Sequence, residues 1–187
     1  MLHNRLEYLW TWFGLNRLGA VPVAINTALK GTFLTHVLTN VRARIAVVEP
    51  EFLPWLEDIE DTVPDLEVIY VVGDMPGADE LPAFKRCTVH PFDDLMHASD
   101  AEIDVEVSYR DIGMVMFTSG TTGPSKGVLM PHGHLFLFAR SMEVHLALTD
   151  EDRYYVCMPL FHAQGSLMQL YGSLLAGAYV VLMKQFR

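Results

Sequence analysis

Short apolar runs rich in β-branched residues alternate in this chain with segments of helical spacing, and that alternation limits the fold more than any other feature. Arg44 to Val48 and Glu67 to Val72 are the clearest runs; Ala20 to Ile25, Ile112 to Phe117, Tyr154 to Cys157 and Tyr179 to Met183 read the same way. Between them, Leu6, Leu9, Trp10, Phe13 and Leu18 recur at helical spacing, and Gly19 is placed to end that helix. Gly31 to Asn40 reads as a second helix, Pro50 opens a third that runs to about Asp61, and Leu167 to Leu175 reads as a later one. Strands separated by helices in this way build βαβ units. The expected fold class is therefore α/β, with mixed, largely parallel sheets covered by helices on both faces. From Gly73 to about Tyr109 the pattern weakens into a proline-rich acidic connection, with one short helix near Phe92 to His97.

Composition closes off several functional classes. Of 187 residues, 51% are hydrophobic and 19% charged, the opposite of a disordered chain and enough to bury a core without disulfides. The net charge of −10 argues against nucleic acid as the main partner, since phosphate backbones need clustered Lys and Arg. That charge is uneven. Glu49 to Asp111 holds 18 acids and 3 bases, net −15, whereas the remainder carries +5 and can tolerate an anion. Cys87 and Cys157 are far apart with no CxxC spacing, so a zinc knuckle or disulfide framework is not expected and a reducing cytoplasm fits. The start shows no basic region followed by an apolar one, hence no signal peptide. Tyr171 to Met183 is the most apolar stretch, but it falls short of the roughly 20 residues of a membrane span and reads as buried core.

Both ends look interrupted. Met1 to Arg5 runs uncapped into the first helix, and a core strand at Tyr179 to Met183 has only Lys184 to Arg187 after it. The expectation is a single partial domain over residues 1–187, truncated at both ends.

The segment with the most chemistry follows the Ile112 to Phe117 strand: Thr118-Ser119-Gly120-Thr121-Thr122-Gly123-Pro124-Ser125-Lys126-Gly127. Gly120, Gly123 and Gly127 let the backbone approach a ligand and turn N–H groups inward. The hydroxyls of Thr118, Ser119, Thr121 and Thr122 suit phosphate oxygens, and Lys126 adds a mobile positive charge within reach of the same oxygens. Together they make an anion cradle for a polyphosphate. The segment is neither a Walker A loop, which needs Gly-Lys-[Ser/Thr], nor GxGxxG. The plainer alternative is a hairpin loop whose polar residues merely solvate a turn.

This loop closely resembles the phosphate-loop signature of the AMP-forming acyl-CoA synthetases, the adenylate-forming superfamily that includes luciferases and peptide-synthetase adenylation domains. One departure is the order Pro124-Ser125 before Lys126, where the usual pattern has a variable residue and then Pro. The resemblance extends to Gly19-Ala20-Val21-Pro22-Val23-Ala24-Ile25-Asn26 and to Pro159-Leu160-Phe161-His162-Ala163-Gln164-Gly165. It implies part of the large N-terminal domain, with the mobile C-terminal domain absent.

Several roles follow from the resemblance. A carboxylate would attack the α-phosphate of Mg²⁺-bound ATP to give acyl-AMP and pyrophosphate, and coenzyme A (CoA) would then take the acyl group. Thr118, Ser119, Gly120, Thr121, Thr122, Gly123 and Lys126 would bind the nucleotide, with Lys126 also catalytic. His162 would orient the carboxylate or gate its pocket, although a lone histidine in apolar surroundings is also compatible with a purely structural role. Amino-acid-activating relatives carry an acid near this point, and no acid lies between Arg153 and Arg187. A neutral-tailed carboxylic acid therefore fits better than an amino acid, whose buried ammonium would go unpaired.

His132 and His134 lack a convincing third ligand and read as local to a helix start, so no resident metal site is expected. Leu167, Met168, Leu170, Leu174 and Leu175 read first as core, with acyl-chain contact as the alternative. The family's downstream Tyr-Gly-x-Thr-Glu segment, ribose-binding Asp and late Lys are not found before Arg187. The expectation is a cytoplasmic ligase fragment that is inactive alone, acting on a small carboxylic acid, ATP and CoA, with homo-oligomerisation left open. A non-catalytic nucleotide-binding remnant and a luciferase-like adenylating enzyme remain alternatives. Ile25-Asn26-Thr27-Ala28-Leu29 leans weakly toward carnitine- or fatty-acid-type ligases.

Overall fold

The computed structural model describes residues 1–77, 79–118 and 124–184. In chain order its elements are α1 (Leu6–Arg17), β1 (Val23–Ala24), α2 (Gly31–Asn40), β2 (Ile45–Val48), α3 (Leu53–Glu57), β3 (Val68–Val71), β4 (Thr88–Pro91), β5 (Ile112–Phe117), β6 (Gly127–Pro131), α4 (His132–Leu146), β7 (Arg153–Val156), α5 (Gly172–Leu175) and β8 (Tyr179–Leu182). Short 3₁₀ turns occur at Pro50–Phe52, Glu60–Thr62 and Phe92–His97, and a π-helix spans Gln164–Tyr171. Two compact units result: Met1–Leu2, Thr27–Glu102 and Phe117–Gly127 form one, and His3–Asn26, Ile103–Met116 and Val128–Arg187 form the other.

The first unit is built on a parallel sheet, β2-β3-β4, in which Ile45 pairs with Val68 and Val68 with Thr88. Alternation along the strands buries Ala46, Val48, Ile69 and Val71, while Ile45 is 57% exposed. One face is thus dry and the other only partly covered, short of the cover expected on both. Leu34, Val37 and Leu38 bury one side of α2. That helix ends at Arg42, which takes φ +52°, and Ala43 N–H bonds back to the Leu38 carbonyl at 3.0 Å.

Two expectations change here. The helix predicted from Pro50 to Asp61 is three short pieces, because Pro54 has no N–H to carry a helical bond back to Pro50. The stretch predicted as irregular contains β4. A buried carboxylate explains that strand: Glu60 Oε1 accepts the N–H groups of Arg86 (2.8 Å) and Cys87 (2.9 Å), and Oε2 accepts that of Lys85 (2.8 Å). Burial opposes the charge on Glu60, but these backbone bonds outweigh it and hold the carboxyl at about 2.

The second unit packs α1, α4 and the π-helix around Trp12, Met114, Leu135, Val156, Leu160, Leu167 and Leu170. Here β1 pairs in parallel with β5 (Val23 with Val115), and β6 lies on the other side of β5. A separate parallel pair joins β7 to β8. The strand expected over Ala20 to Ile25 shortens to Val23–Ala24. Gly19 ends α1 as anticipated, at φ +69°, with Ala20 N–H reaching the Leu15 carbonyl at 2.8 Å. Tyr179 is 71% exposed and Val181 46% exposed, so β8 is not the buried core strand its composition suggested.

Candidate active site

Thr118 leaves β5 and Lys126 leads into β6, and the described residues tie the two together. Thr118 N–H donates to the Lys126 carbonyl at 3.0 Å, and Lys126 N–H donates to Thr118 Oγ1 at 3.3 Å. This closes the neck of the glycine-threonine loop. Ser119, Gly120, Thr121, Thr122 and Gly123 lie outside the described residues. Lys126 is exposed, and among the described residues no acid pairs with its ammonium. Residues 112–139 contain no Asp or Glu, and Lys126 is their only Lys or Arg, so this stretch of chain supplies one positive charge and no negative one.

A residue the sequence reading passed over also touches the neck. His36, half-buried on α2, has Nε2 2.7 Å from the Ser125 carbonyl oxygen. A carbonyl only accepts, so Nε2 is the donor. The same ring meets Phe117 edge-on, with centroids 6.4 Å apart at 81°. Only a lone histidine in an otherwise unremarkable helix marked this position in the sequence.

His162 belongs to the second unit, where Pro159-Leu160-Phe161-His162 forms a tight turn between β7 and the π-helix. Its N–H donates to the Pro159 carbonyl at 3.0 Å. Its own carbonyl accepts Ser166 N–H (3.0 Å) and Ser166 Oγ (3.1 Å). The ring is exposed rather than set in the apolar surroundings the sequence suggested, because Nδ1 caps the turn by accepting Gln164 N–H at 3.2 Å. In the neutral ring that bond leaves the proton on Nε2.

Three side chains hold this turn from outside the motif. Asn4 is buried, donates to the Met158 carbonyl (2.9 Å) and accepts Leu160 N–H (2.8 Å). Tyr8 donates to the Leu160 carbonyl at 2.7 Å, and burial pushes its phenol well above the usual range, which keeps it a neutral donor. Gln169 Oε1 accepts Met158 N–H at 3.1 Å. The chain start, read as an uncapped run into α1, therefore carries a positioning side chain.

Gly165 is required by space, since a Cβ there would sit 2.7 Å from the Met158 carbonyl oxygen and nearer still to that of Pro159. The helix that follows is widened, Gly172 N–H reaching the Leu167 carbonyl five residues back, a geometry that recurs at functional sites. Leu167 and Leu170 are fully buried core, whereas Leu174 is 40% exposed. His132 starts α4, its N–H donating to the Asp111 carbonyl at 3.0 Å, and the His134 ring meets that of Phe138 at a tilt of 38°, centroids 5.0 Å apart. Among the described residues neither histidine belongs to a set of three ligating side chains with donor atoms within 4.8 Å of one another.

The AMP-binding enzyme family model matches residues 1–187, the whole chain. The chain belongs to the AMP-binding enzyme family. Within that family it is 29% identical over 187 residues to crotonobetaine/carnitine–CoA ligase of Salmonella typhi, covering 99% of this chain and 35% of that protein. It is 34% identical over 198 residues to human long-chain fatty acid transport protein 3, covering 96% of this chain and 26% of that one. Among solved structures it resembles the anthranilate CoA ligase AuaEII in complex with anthranoyl-AMP, with a TM-score of 0.83 and 30% identity over 100% of this chain and 35% of that one. The fold is thus that of the N-terminal domain of adenylate-forming ligases, mixed α/β with parallel sheets. The chain spans about a third of the length of the carnitine ligases it matches. Among the described residues no helix is long and apolar enough to cross a membrane.

Proposed function

We propose that this chain is the phosphate-binding part of an ATP-dependent, AMP-forming carboxylic-acid:CoA ligase. The observation that carries the reading is the closed neck of the loop, where Thr118 and Lys126 are cross-tied with an ammonium that no described acid neutralises. A backbone loop tied at its base and carrying one Lys is suited to the β- and γ-phosphates of ATP. Tying the two ends of the loop together keeps Thr118 and the Lys126 backbone in place before a ligand arrives.

In this reading Thr118, Ser119, Thr121, Thr122 and Lys126 hold the phosphates, and Gly120 and Gly123 allow close approach. Lys126 then stabilises the pyrophosphate as it leaves from the α-phosphorus attacked by the carboxylate. His162, with Nδ1 engaged by Gln164, offers Nε2–H to one oxygen of that carboxylate. The absence of acids from 154 to 184 favours a substrate with a neutral tail over an amino acid. Mg²⁺ enters with ATP. The loop and its flanks supply no carboxylate to ligate it, so no step is assigned to a protein-held metal. CoA acts as the acyl acceptor, and a reducing compartment such as the cytoplasm would suit the two free thiols.

The test is carboxylate-dependent ATP–pyrophosphate exchange by a full-length ligase built on these residues. Lys126→Ala is expected to lower exchange at least about 100-fold, the scale of a lost transition-state contact. Equal exchange by the variant would sink the assignment. The 187-residue chain alone is expected to form no thioester, and robust ATP- and CoA-dependent thioester formation by it would contradict that part of the reading.

A further inference from the structure

The neck of the loop is held from both sides by one side chain that takes no part in the loop itself. Phe117 precedes the loop and meets the His36 ring edge-on; Ser125 follows it and offers its carbonyl to His36 Nε2 at 2.7 Å. Thr118 follows the first contact residue, Lys126 follows the second, and the two are paired with each other. His36 is carried on α2, whose opposite side is anchored by Leu34, Val37 and Leu38, all buried. The ring is therefore fixed to the core of its unit and not to the loop. A carbonyl oriented by a core-anchored donor fixes the peptide plane that also contains the Lys126 N–H, because the Ser125 carbonyl and the Lys126 amide share one planar unit. That amide is the one that donates to Thr118 Oγ1.

We propose that His36 is a positioning residue for the phosphate loop: through the Ser125–Lys126 peptide it sets the direction in which Lys126 leaves the neck. The inference rests on the reading of the loop as an ATP-phosphate site, but its first test does not. Only a donor at this place is required, so glutamine, whose amide can donate to the same carbonyl, serves in place of histidine, and leucine of similar bulk does not.

The experiment compares the 187-residue chain with His36→Leu, His36→Gln and Lys126→Ala. Amide hydrogen exchange without nucleotide is expected to quicken about tenfold at Thr118 and Lys126 in His36→Leu, the effect of one lost hydrogen bond. It should stay near the original rate in His36→Gln and be unchanged in the sheet amides of β2 and β3. Titration with Mg·ATP then links the neck to the ligand. The dissociation constant should rise about fivefold to tenfold in His36→Leu and recover in His36→Gln, as expected for a lost neutral hydrogen bond.

Unchanged exchange at Thr118 and Lys126 in His36→Leu overturns the proposal. So does unchanged ATP affinity in that variant while Lys126→Ala loses binding. A fold collapse in His36→Leu would show as faster exchange throughout β2 and β3, and His36→Gln then decides: intact neck protection and affinity support the donor role, and their loss overturns it. If Lys126→Ala binds ATP like the original chain, the nucleotide reading is what fails, and amide exchange still judges His36 on its own.

Discussion

Replacing Gly165 by alanine adds one methyl group where the chain has no room for it. The new Cβ would lie 2.7 Å from the Met158 carbonyl oxygen and closer to that of Pro159, and both obstacles are backbone, so no rotamer change relieves them. The turn must move. Two bonds then stretch: His162 N–H to the Pro159 carbonyl (3.0 Å) and Asn4 Nδ2–H to the Met158 carbonyl (2.9 Å). Overpacking of this kind costs roughly 1–3 kcal/mol, and two weakened hydrogen bonds add about 1 kcal/mol, so a loss of about 3 kcal/mol is expected. For a chain of this size that is a fall in Tm of about 6–12 °C. The assay is equilibrium urea unfolding of the 187-residue chain, with Gly14→Ala as the paired control. Among the described residues a Cβ at Gly14 meets nothing within 4 Å on the exposed side of α1, so that change should stabilise by about 0.5–1 kcal/mol. If both alanines left stability within about 0.5 kcal/mol of the original, the steric account of the His162 turn would be refuted.

Three further predictions follow from single side chains. Glu60→Gln keeps one acceptor oxygen but turns an N–H donor toward another N–H, and should cost about 2–3 kcal/mol. The Glu60 carboxyl sits near 2 in the folded chain, below its ordinary value, so its contribution is complete above the carboxylate range and is lost as pH falls toward 2. The stability gap between the two proteins should therefore shrink between about pH 5 and pH 2, and a constant gap would contradict the clamp. Trp12→Phe should cost less than about 1.5 kcal/mol by thermal unfolding, well under the 3–5 of a large-to-alanine change. Among the described residues the buried Trp12 Nε1 has no hydrogen-bond partner to lose. Arg42→Gly should stabilise by up to about 1 kcal/mol in the same assay, because Arg42 holds φ +52° and its ion pair to Asp65 is exposed at 3.4 Å.

What could be read in the sequence was whatever depended on local pattern. Gly31–Asn40 and Ile112–Phe117 appear with the expected bounds because apolar spacing and β-branching act over a few residues. The Pro159–Gly165 turn was visible as a motif, yet its support was not: Asn4 acts on Met158 and Leu160 from the far end of the chain, Gln169 acts on Met158 from the next helix, and neither carries a local mark. Strand β4 was missed for the same reason, since the acid that organises it, Glu60, lies 25 residues from the nearest amide it accepts. The helix after Pro50 failed on a local rule that should have been weighed, the missing N–H of Pro54. His36 could not have been singled out, because its partner is a backbone carbonyl and a backbone carbonyl has no sequence signature.

The most direct measurement is the affinity of the 187-residue chain for ATP compared with AMP, repeated with Lys126→Ala. If the loop closed by Thr118 and Lys126 grips the β- and γ-phosphates, ATP should bind at least about tenfold more tightly than AMP, and the variant should lose most of that difference. Equal affinities in the original chain, or a preference for ATP that survives the loss of Lys126, would contradict the account.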